Sequence, residues 1–253
     1  MEIAQGIYCM KEPTTAIILV AGQGTRLGLN TPKSLVNVGG EPLIYYAIRF
    51  VKETGVERIV VVGGFEFQRV KQAVKDFDRN IDVYENSEYV KGNILSVQTG
   101  LTNIKNGGFL LYHGDHFFKA AIAKRVSTHM NKSLVMFTDT DRLLSGDDMK
   151  IVVDERNFVR KLSKKLTQYS HGYVGITYCD AKTVPSYAQA LDEVIKTSDG
   201  KASSEEIVQY LIDKNNQEVC IGDLSGVGWF EVDYPEELKK FESEIATNRS
   251  LYF

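Results

Sequence analysis

The stretch Ile18–Leu35, ILVAGQGTRLGLNTPKSL, carries an apolar run straight into three glycines, an arginine and a lysine. Extended one step back, AIILVAG (16–22) is continuously apolar, the pattern of a parallel strand buried on both faces rather than a half-exposed one. A glycine-rich turn after such a strand lets backbone N–H groups approach an anion with no Cβ in the way, and phosphate is the obvious anion. Two familiar phosphate loops fail on spacing. After Gly22 and Gly24 a dinucleotide fingerprint needs glycine at position 27, where the chain has Leu27 and places the glycine at 28; no Gly-Lys-Ser/Thr follows for a P-loop. What fits is a loop bearing Arg26, followed after a short turn by Pro32 and Lys33. A guanidinium fork and a compact ammonium suit the β- and γ-phosphates of a nucleoside triphosphate, where charge develops as pyrophosphate departs. The alternative is a strand-turn-helix connection with incidental surface cations.

Downstream the chain alternates. EPLIYYAIRFVKETG (41–55) has apolar residues at Leu43, Ile44, Ala47, Ile48 and Val51, a helical spacing, with Gly55 as C-terminal cap. ERIVVVGG (57–64) is a second buried strand, FQRVKQAVKDF (67–77) a helix and IDVYEN (81–86) a strand, as in a doubly wound parallel sheet. GFLLYHGDHFF (108–118) repeats the strand pattern and ends it at Gly114 and Asp115. Ligands of open α/β sheets collect at the carboxyl ends of strands, so this Asp and the first glycine loop share one rim. From about residue 134 the texture becomes β-rich: SLVMFTDT, MKIVVDERNFVRKLSKKL and SHGYVGITYCD, then the helical SSEEIVQYLIDKN and PEELKKFESEIATN. There is no proline-rich linker and no repeat, so the expectation is one domain over 1–253, its N-terminal part binding nucleotide and about 130–230 binding an acceptor.

Composition narrows the function. At 253 residues, 43% hydrophobic and 25% charged, the chain can bury one large core or two modest ones. A formal net charge of −3 with no basic tail argues against a nucleic-acid partner. Cys9, Cys179 and Cys220 are far apart and odd in number, which reads as reduced thiols rather than a disulfide framework or zinc site. No run approaches the roughly 18 apolar residues of a membrane span, and MEIAQGIYCMKEP (1–13) lacks a basic start and a cleavable apolar core. A cytoplasmic location is expected.

LVAGQGTRLG (19–28) with TPKSL (31–35) resembles the signature of nucleotidyltransferases that join a nucleoside triphosphate to a phosphorylated small molecule and release pyrophosphate. KGNILSV, HGDHFF, MKIVVDERNFVRKLSKKL, SHGYVGI and WFEVDYPEEL resemble, in order, the blocks of the CTP:inositol-1-phosphate cytidylyltransferases. The resemblance implies an α/β, Rossmann-like (GT-A type) fold whose mixed, mostly parallel central sheet is flanked by helices. It implies CTP and inositol 1-phosphate as substrates, CDP-inositol as product in synthesis of di-inositol phosphate, and Mg²⁺ as cofactor. The chain ends at NRSLYF, so CDP-inositol is expected to pass to a separate membrane synthase. A homodimer is compatible with the resemblance but not specified by it.

Residue by residue, the resemblance gives Ala21, Gly22, Gln23, Gly24 and Thr25 to the nucleotide, with Arg26 and Lys33 as the catalytic cations. Asp115 and Asp233 would hold the metal, since two carboxylates on one divalent ion bring two anions together and leave positions for phosphate oxygens. An Asp after a strand is otherwise a helix cap or turn residue. Gly63 and Gly64 would line the base, while Gly92, Asn93 and Ser96 would meet cytosine and ribose from a turn, the Asn amide both donating and accepting. Lys150 would clamp the acceptor phosphate or α-phosphate, or else is a lysine at an exposed strand start. His171 and Gly172, next to Tyr169, fall in the acceptor segment. His113 is expected to point into the sheet and His116 to pack beside Phe117, neither as ligand.

Other acceptors stay open. A phosphocholine or sugar-1-phosphate enzyme would keep Arg26, Lys33, Asp115 and Asp233. The short gap from Arg26 to Lys33 disfavours many sugar-nucleotide enzymes but is shared with methylerythritol-phosphate cytidylyltransferases and molybdenum-cofactor guanylyltransferases. A non-catalytic nucleotide-binding module is the reading from another class; it has no need of two leaving-group cations together with a metal pair.

Overall fold

The computed structural model describes residues 14–252; Cys9 and the other residues 1–13, with Phe253, lie outside the described residues. In chain order come β1 (Thr14–Val20), two single-turn 3-10 helices (Thr25–Leu27 and Lys33–Leu35), the hairpin β2 (Asn37–Val38) and β3 (Glu41–Pro42), α1 (Leu43–Glu53), β4 (Arg58–Gly63), α2 (Phe67–Phe77), β5 (Asp82–Glu85) and α3 (Asn93–Thr102). There follow β6 (Gly108–His113), β7 (His116–Phe118), α4 (Ala120–His129), β8 (Leu134–Asp139), β9 (Lys150–Val153), β10 (Val159–Ser163) and β11 (His171–Cys179). The chain then forms α5 (Val184–Ser198), α6 (Glu205–Asn215), β12 (Cys220–Asp223), β13 (Trp229–Glu231) and α7 (Pro235–Asn248), with a last 3-10 turn at Arg249–Leu251.

Strand β1 is the hub of a nine-stranded sheet, parallel to β4 on one side and to β6 on the other, with β5 parallel to β4 at the edge. Beyond β6 the direction reverses. β11 runs antiparallel to β6, β8 and β9, so the β-rich half continues the same sheet, and β12 joins it parallel to β8. The chain leaves β1 toward β4 and β5 and returns through α3 to β6 on the opposite side. That return is a topological switch point, and the crevice beyond the carboxyl ends of β1 and β6 is where such sheets bind ligands.

The continuous apolar strands are explained by two cores. Ala16, Ile18, Val61 and Tyr112 point to one face, covered by Ile48 and Phe50 of α1, Val70 and Val74 of α2 and Ile122 of α4. Ile17, Val60, Val62 and Leu111 point to the other, under Ile94 and Val97 of α3, Tyr187 of α5 and Ile207 of α6. α1 stops where expected, with Gly55 at φ +78° just past its end. KGNILSV behaves differently from its reading as a turn: Gly92 is the N-cap and Asn93 the first residue of α3. Helices α4 and α5 are not among the elements named from the sequence, although α5 has a proline in its first turn and buries Tyr187, Ala190, Leu191 and Val194 at helical spacing.

A third, smaller core positions the site. Leu27 of the glycine loop is buried with Val36, Phe117, Val232, and Phe241 and Ile245 of α7. Burying a leucine of this kind contributes about 1.5–3 kcal/mol, which offsets the ordering entropy of one or two residues of the loop. Arg26, Asp233 and His116 each adjoin one of these anchored residues in sequence.

Candidate active site

The loop after β1 folds back onto Lys33. Gly24 has φ +66°, and a Cβ there would stand 2.7 Å from the Lys33 Cβ, so the close approach requires glycine. At the end of β6, Gly114 donates its N–H to the Leu19 carbonyl at 3.0 Å, and a Cβ there would meet the Val20 Cγ1 at 2.3 Å. Glycine therefore lets the β6 exit lie against β1 and delivers Asp115 beside the first loop. The short pair β7–β13 brings in the last member: His116 faces Glu231 across the ladder, and the Val232 N–H donates to the Asp115 carbonyl at 3.0 Å. Asp233 follows directly. It is not the cap of α7, because the Glu237 carboxylate accepts both the Asp233 and Tyr234 amides, at 2.8 and 3.0 Å, and frees the Asp233 side chain.

Four charged side chains converge. The Lys33 ammonium donates to Asp115 Oδ2 at 2.7 Å and also to Asp233 Oδ1. Arg26 donates to Asp233 Oδ2 at 3.0 Å from the mouth of the cleft. Burial disfavours charge on Lys33, but Asp115 and Asp233 outweigh it and raise its pKa, keeping it cationic. Burial would likewise raise Asp115; Lys33 and His116 prevail and hold its carboxyl well below the usual range. These groups, with Gly22, Gly24 and Thr25, line a cleft of about 300 Å³. The Ser34 hydroxyl in the same lining is buried without a hydrogen-bond partner.

A second hollow shares Leu19, Gly22 and Asp115 with the first and adds Ala21, Asn93 and Ser96. Asn93 Oδ1 accepts the Ser204 amide at 2.8 Å, which leaves the side chain chiefly as a donor rather than the two-way partner expected. Ser96 is bonded to Asn86 at 2.9 Å. Gly63, Gly64, Gly92 and Gln23 line neither cavity; Gly63 ends β4, where its carbonyl accepts the Asn86 amide at 2.8 Å.

A third cavity, of about 290 Å³, lies on the other side of Arg26 and Asp233 and is bounded by Arg142, Asp148, Lys164 and Glu231. Lys150, His171 and Gly172 are absent from its lining. Lys150 is buried, contrary to an exposed strand start, and its ammonium donates to the Ser145 and Lys164 carbonyls at 2.5 and 2.9 Å, tying two walls of the cavity together. His171 is bonded to Ser170 at 2.8 Å, and Gly172 pairs in the sheet with Lys150 and Asp139.

Both neighbouring histidines depart from expectation. His113 does not point into the sheet core; it lines the second hollow and bonds Ser204 Oγ at 3.1 Å. His116 stacks on Trp229, with ring centres 4.9 Å apart, and its Nδ1 pairs with Asp115 at 2.7 Å. Burial lowers the His116 pKa, but Glu231 and Asp115 outweigh it and raise the net value. Ligand atoms of His113, Asp115 and His116 lie within 4.8 Å of one another, yet each imidazole already has a partner in the protein. The donor set that suits a hard cation is Asp115 with Asp233: two carboxylates from separate elements, close enough to share one ammonium. Sequence reading passed over Glu231, Trp229 and Arg142. Glu231 had a signal, standing two residues before Asp233 in an alternating strand; Arg142, in a polar loop, had none.

A mixed, mostly parallel sheet with a glycine loop at its switch point, two cations and an acidic pair is an arrangement suited to an enzyme acting on a nucleoside triphosphate. The chain belongs to the family described as MobA-like NTP transferase domain, whose model matches residues 16–203, and it is a nucleotidyltransferase. It is 28% identical over 238 residues to the bifunctional IPC transferase and DIPP synthase of Thermococcus kodakarensis, covering 90% of this chain and 50% of that protein. The chain thus spans about half the length of that relative, and the same holds for the Aquifex aeolicus protein of the same description. It is also 28% identical over 252 residues to the choline-phosphate cytidylyltransferase of Streptococcus pneumoniae, covering 93% and 99% of the two chains. The inositol-1-phosphate CTP transferase of T. maritima has the same fold, with TM-score 0.79 at 22% identity, covering 92% of this chain and 96% of that one. Among the described residues no helix is long and apolar enough to cross a membrane.

Proposed function

We propose that the protein is a Mg²⁺-dependent cytidylyltransferase that makes CDP-inositol and pyrophosphate from CTP and inositol 1-phosphate, in the cytoplasm, within di-inositol phosphate synthesis. The observation that carries the reading is the Lys33 ammonium held between Asp115 and Asp233 at the rim of the glycine loop, with a separate charged cavity across Asp233. In that reading the triphosphate lies along Gly22, Gly24 and Thr25, the cytidine enters the hollow of Asn93 and Ser96, and the inositol phosphate enters the third cavity.

A phosphate oxygen of the acceptor attacks the α-phosphorus. The new P–O bond forms as the bond from the α-phosphorus to the oxygen bridging the β-phosphate breaks, and pyrophosphate leaves with the electron pair. No general base is required, because the attacking oxygen is already anionic; positioning and charge stabilisation supply the catalysis. Lys33 has three N–H donors. Two meet the carboxylates, which leaves the third for a phosphate oxygen, and Arg26 offers its remaining donors to the departing pyrophosphate. Ser34, buried without a partner, supplies a further hydroxyl in the same lining. Asp115 and Asp233 would hold Mg²⁺, which when bound screens the repulsion between the two reacting anions.

The test is pyrophosphate release by purified protein with Mg²⁺, crossing the four ribonucleoside triphosphates against inositol 1-phosphate, phosphocholine, glucose 1-phosphate and methylerythritol 4-phosphate. Turnover confined to CTP with inositol 1-phosphate is expected. A preference for another pair refutes the substrate assignment, and no turnover with any pair refutes the reaction.

A further inference from the structure

The aromatic rings beside the third cavity carry the protein's own cations. The Arg142 guanidinium lies 4.1 Å from the Trp229 ring centre, and that of Arg26 5.5 Å from Tyr234. The Trp229 ring is held in place: its Nε1 donates to Asp139 Oδ2 at 2.6 Å and its plane stacks with His116. Arg142 is steered onto it by Asp148 at 3.3 Å and Glu231 at 3.9 Å. Arg142, Asp148 and Glu231 all line the cavity, so the guanidinium stands between the cavity and the indole.

An indole face flanked by carboxylates is the seat that a quaternary ammonium takes, through the ring quadrupole and the neighbouring negative charge. Here a tethered guanidinium takes that seat. We infer that Arg142 is the specificity-determining residue of the acceptor site: by covering Trp229 it excludes phosphomonoesters with a cationic headgroup and offers N–H donors to an uncharged polyol phosphate. The inference rests on the third cavity being the acceptor site. A positively charged headgroup entering the cavity meets Arg142 instead of an open ring, whereas hydroxyl groups find donors and acceptors in Arg142, Asp148 and Glu231.

Trp229 is the single tryptophan of the chain, so its emission reads this seat directly. Phosphocholine is titrated, without CTP, against wild type, Arg142→Gln, Arg142→Ala and Arg142→Lys. A saturable emission change is expected in the Gln and Ala variants at a phosphocholine concentration at least ~10-fold lower than in wild type and the Lys variant, the size of a desolvated cation–π contact. With CTP, the ratio of kcat/KM for phosphocholine to that for inositol 1-phosphate rises by about 10–100-fold in the Gln and Ala variants and stays near the wild-type ratio in the Lys variant. Equal phosphocholine binding by all four proteins, or equal losses for both acceptors, overturns the inference. If wild type turns over neither acceptor, the proposed reaction fails, while the emission titration still decides whether Arg142 keeps a cationic headgroup off Trp229.

Discussion

Replacing Lys33 by alanine removes the one cation among the described residues that touches both carboxylates of the site. A unit charge about 4 Å from a phosphoryl charge, at an effective dielectric near 20, contributes about 4 kcal/mol. The side chain is only 15% exposed, so solvent screens this little. Loss of one preorganised stabiliser of developing charge elsewhere costs about 2.7–4 kcal/mol in turnover, and the two figures agree on a fall of about 10²–10³-fold in kcat. Asp115 and Asp233 are then left facing each other. Removing one partner of a buried ion pair costs as much as ~3–5 kcal/mol of stability; the partial exposure of these carboxylates puts this case below that, and saturating Mg²⁺ is expected to restore part of it. The assay is coupled pyrophosphate release from CTP and inositol 1-phosphate, with thermal unfolding of the same samples measured with and without Mg²⁺. A folded Lys33→Ala protein with turnover within about tenfold of wild type refutes the role given to Lys33.

Gly24→Ala is expected to lower stability by about 1–2 kcal/mol, because its left-handed backbone disfavours a side chain, and to cut kcat/KM for CTP at least tenfold by pushing on the Lys33 Cβ; thermal melts and steady-state kinetics on one preparation check both. Asp115→Asn is expected to raise the Mg²⁺ concentration needed for half-maximal turnover by about tenfold or more, measured as a metal titration at saturating substrates. Away from the site, Glu41 accepts two N–H bonds from Arg49 at 2.6 and 2.7 Å, which together with Arg249 hold its carboxyl below its ordinary value of 4.5. A depressed folded value means that the contribution is complete above the unfolded pKa and is lost as pH falls through the folded one. Glu41→Gln is therefore expected to be less stable than wild type by about 1 kcal/mol at pH 7, with the gap closing as pH drops below 4.5, followed by urea unfolding across that range.

The parts legible in the sequence are those determined by neighbours along the chain. A parallel strand shows as a continuous apolar run because both its faces are covered, and α1 and α2 show as 3.6-residue spacing because each buries one stripe. The glycine loop is legible for the same reason: Gly22 to Lys33 is one short segment whose composition and spacing already limit what it can bind. KGNILSV misled as a turn because its helical stripe is short and begins with Gly-Asn, a turn signal that here serves as the start of α3.

Lys150 and His116 show what is not legible. Their residue types allow a catalytic, metal-binding or structural role, and only the positions of the Ser145 and Lys164 carbonyls and of Asp115 and Trp229 select among them. The sequence by itself determined the sheet's hub, the glycine loop and its two cations, all properties of local periodicity and short spacing. Only the tertiary structure decided that Asp233, 200 residues from Lys33, shares its ammonium with Asp115, and that Arg142 covers Trp229 beside the third cavity. Those contacts depend on the reversal of direction at β11 and on the β7–β13 pairing, which join segments whose separation along the chain carries no local signature.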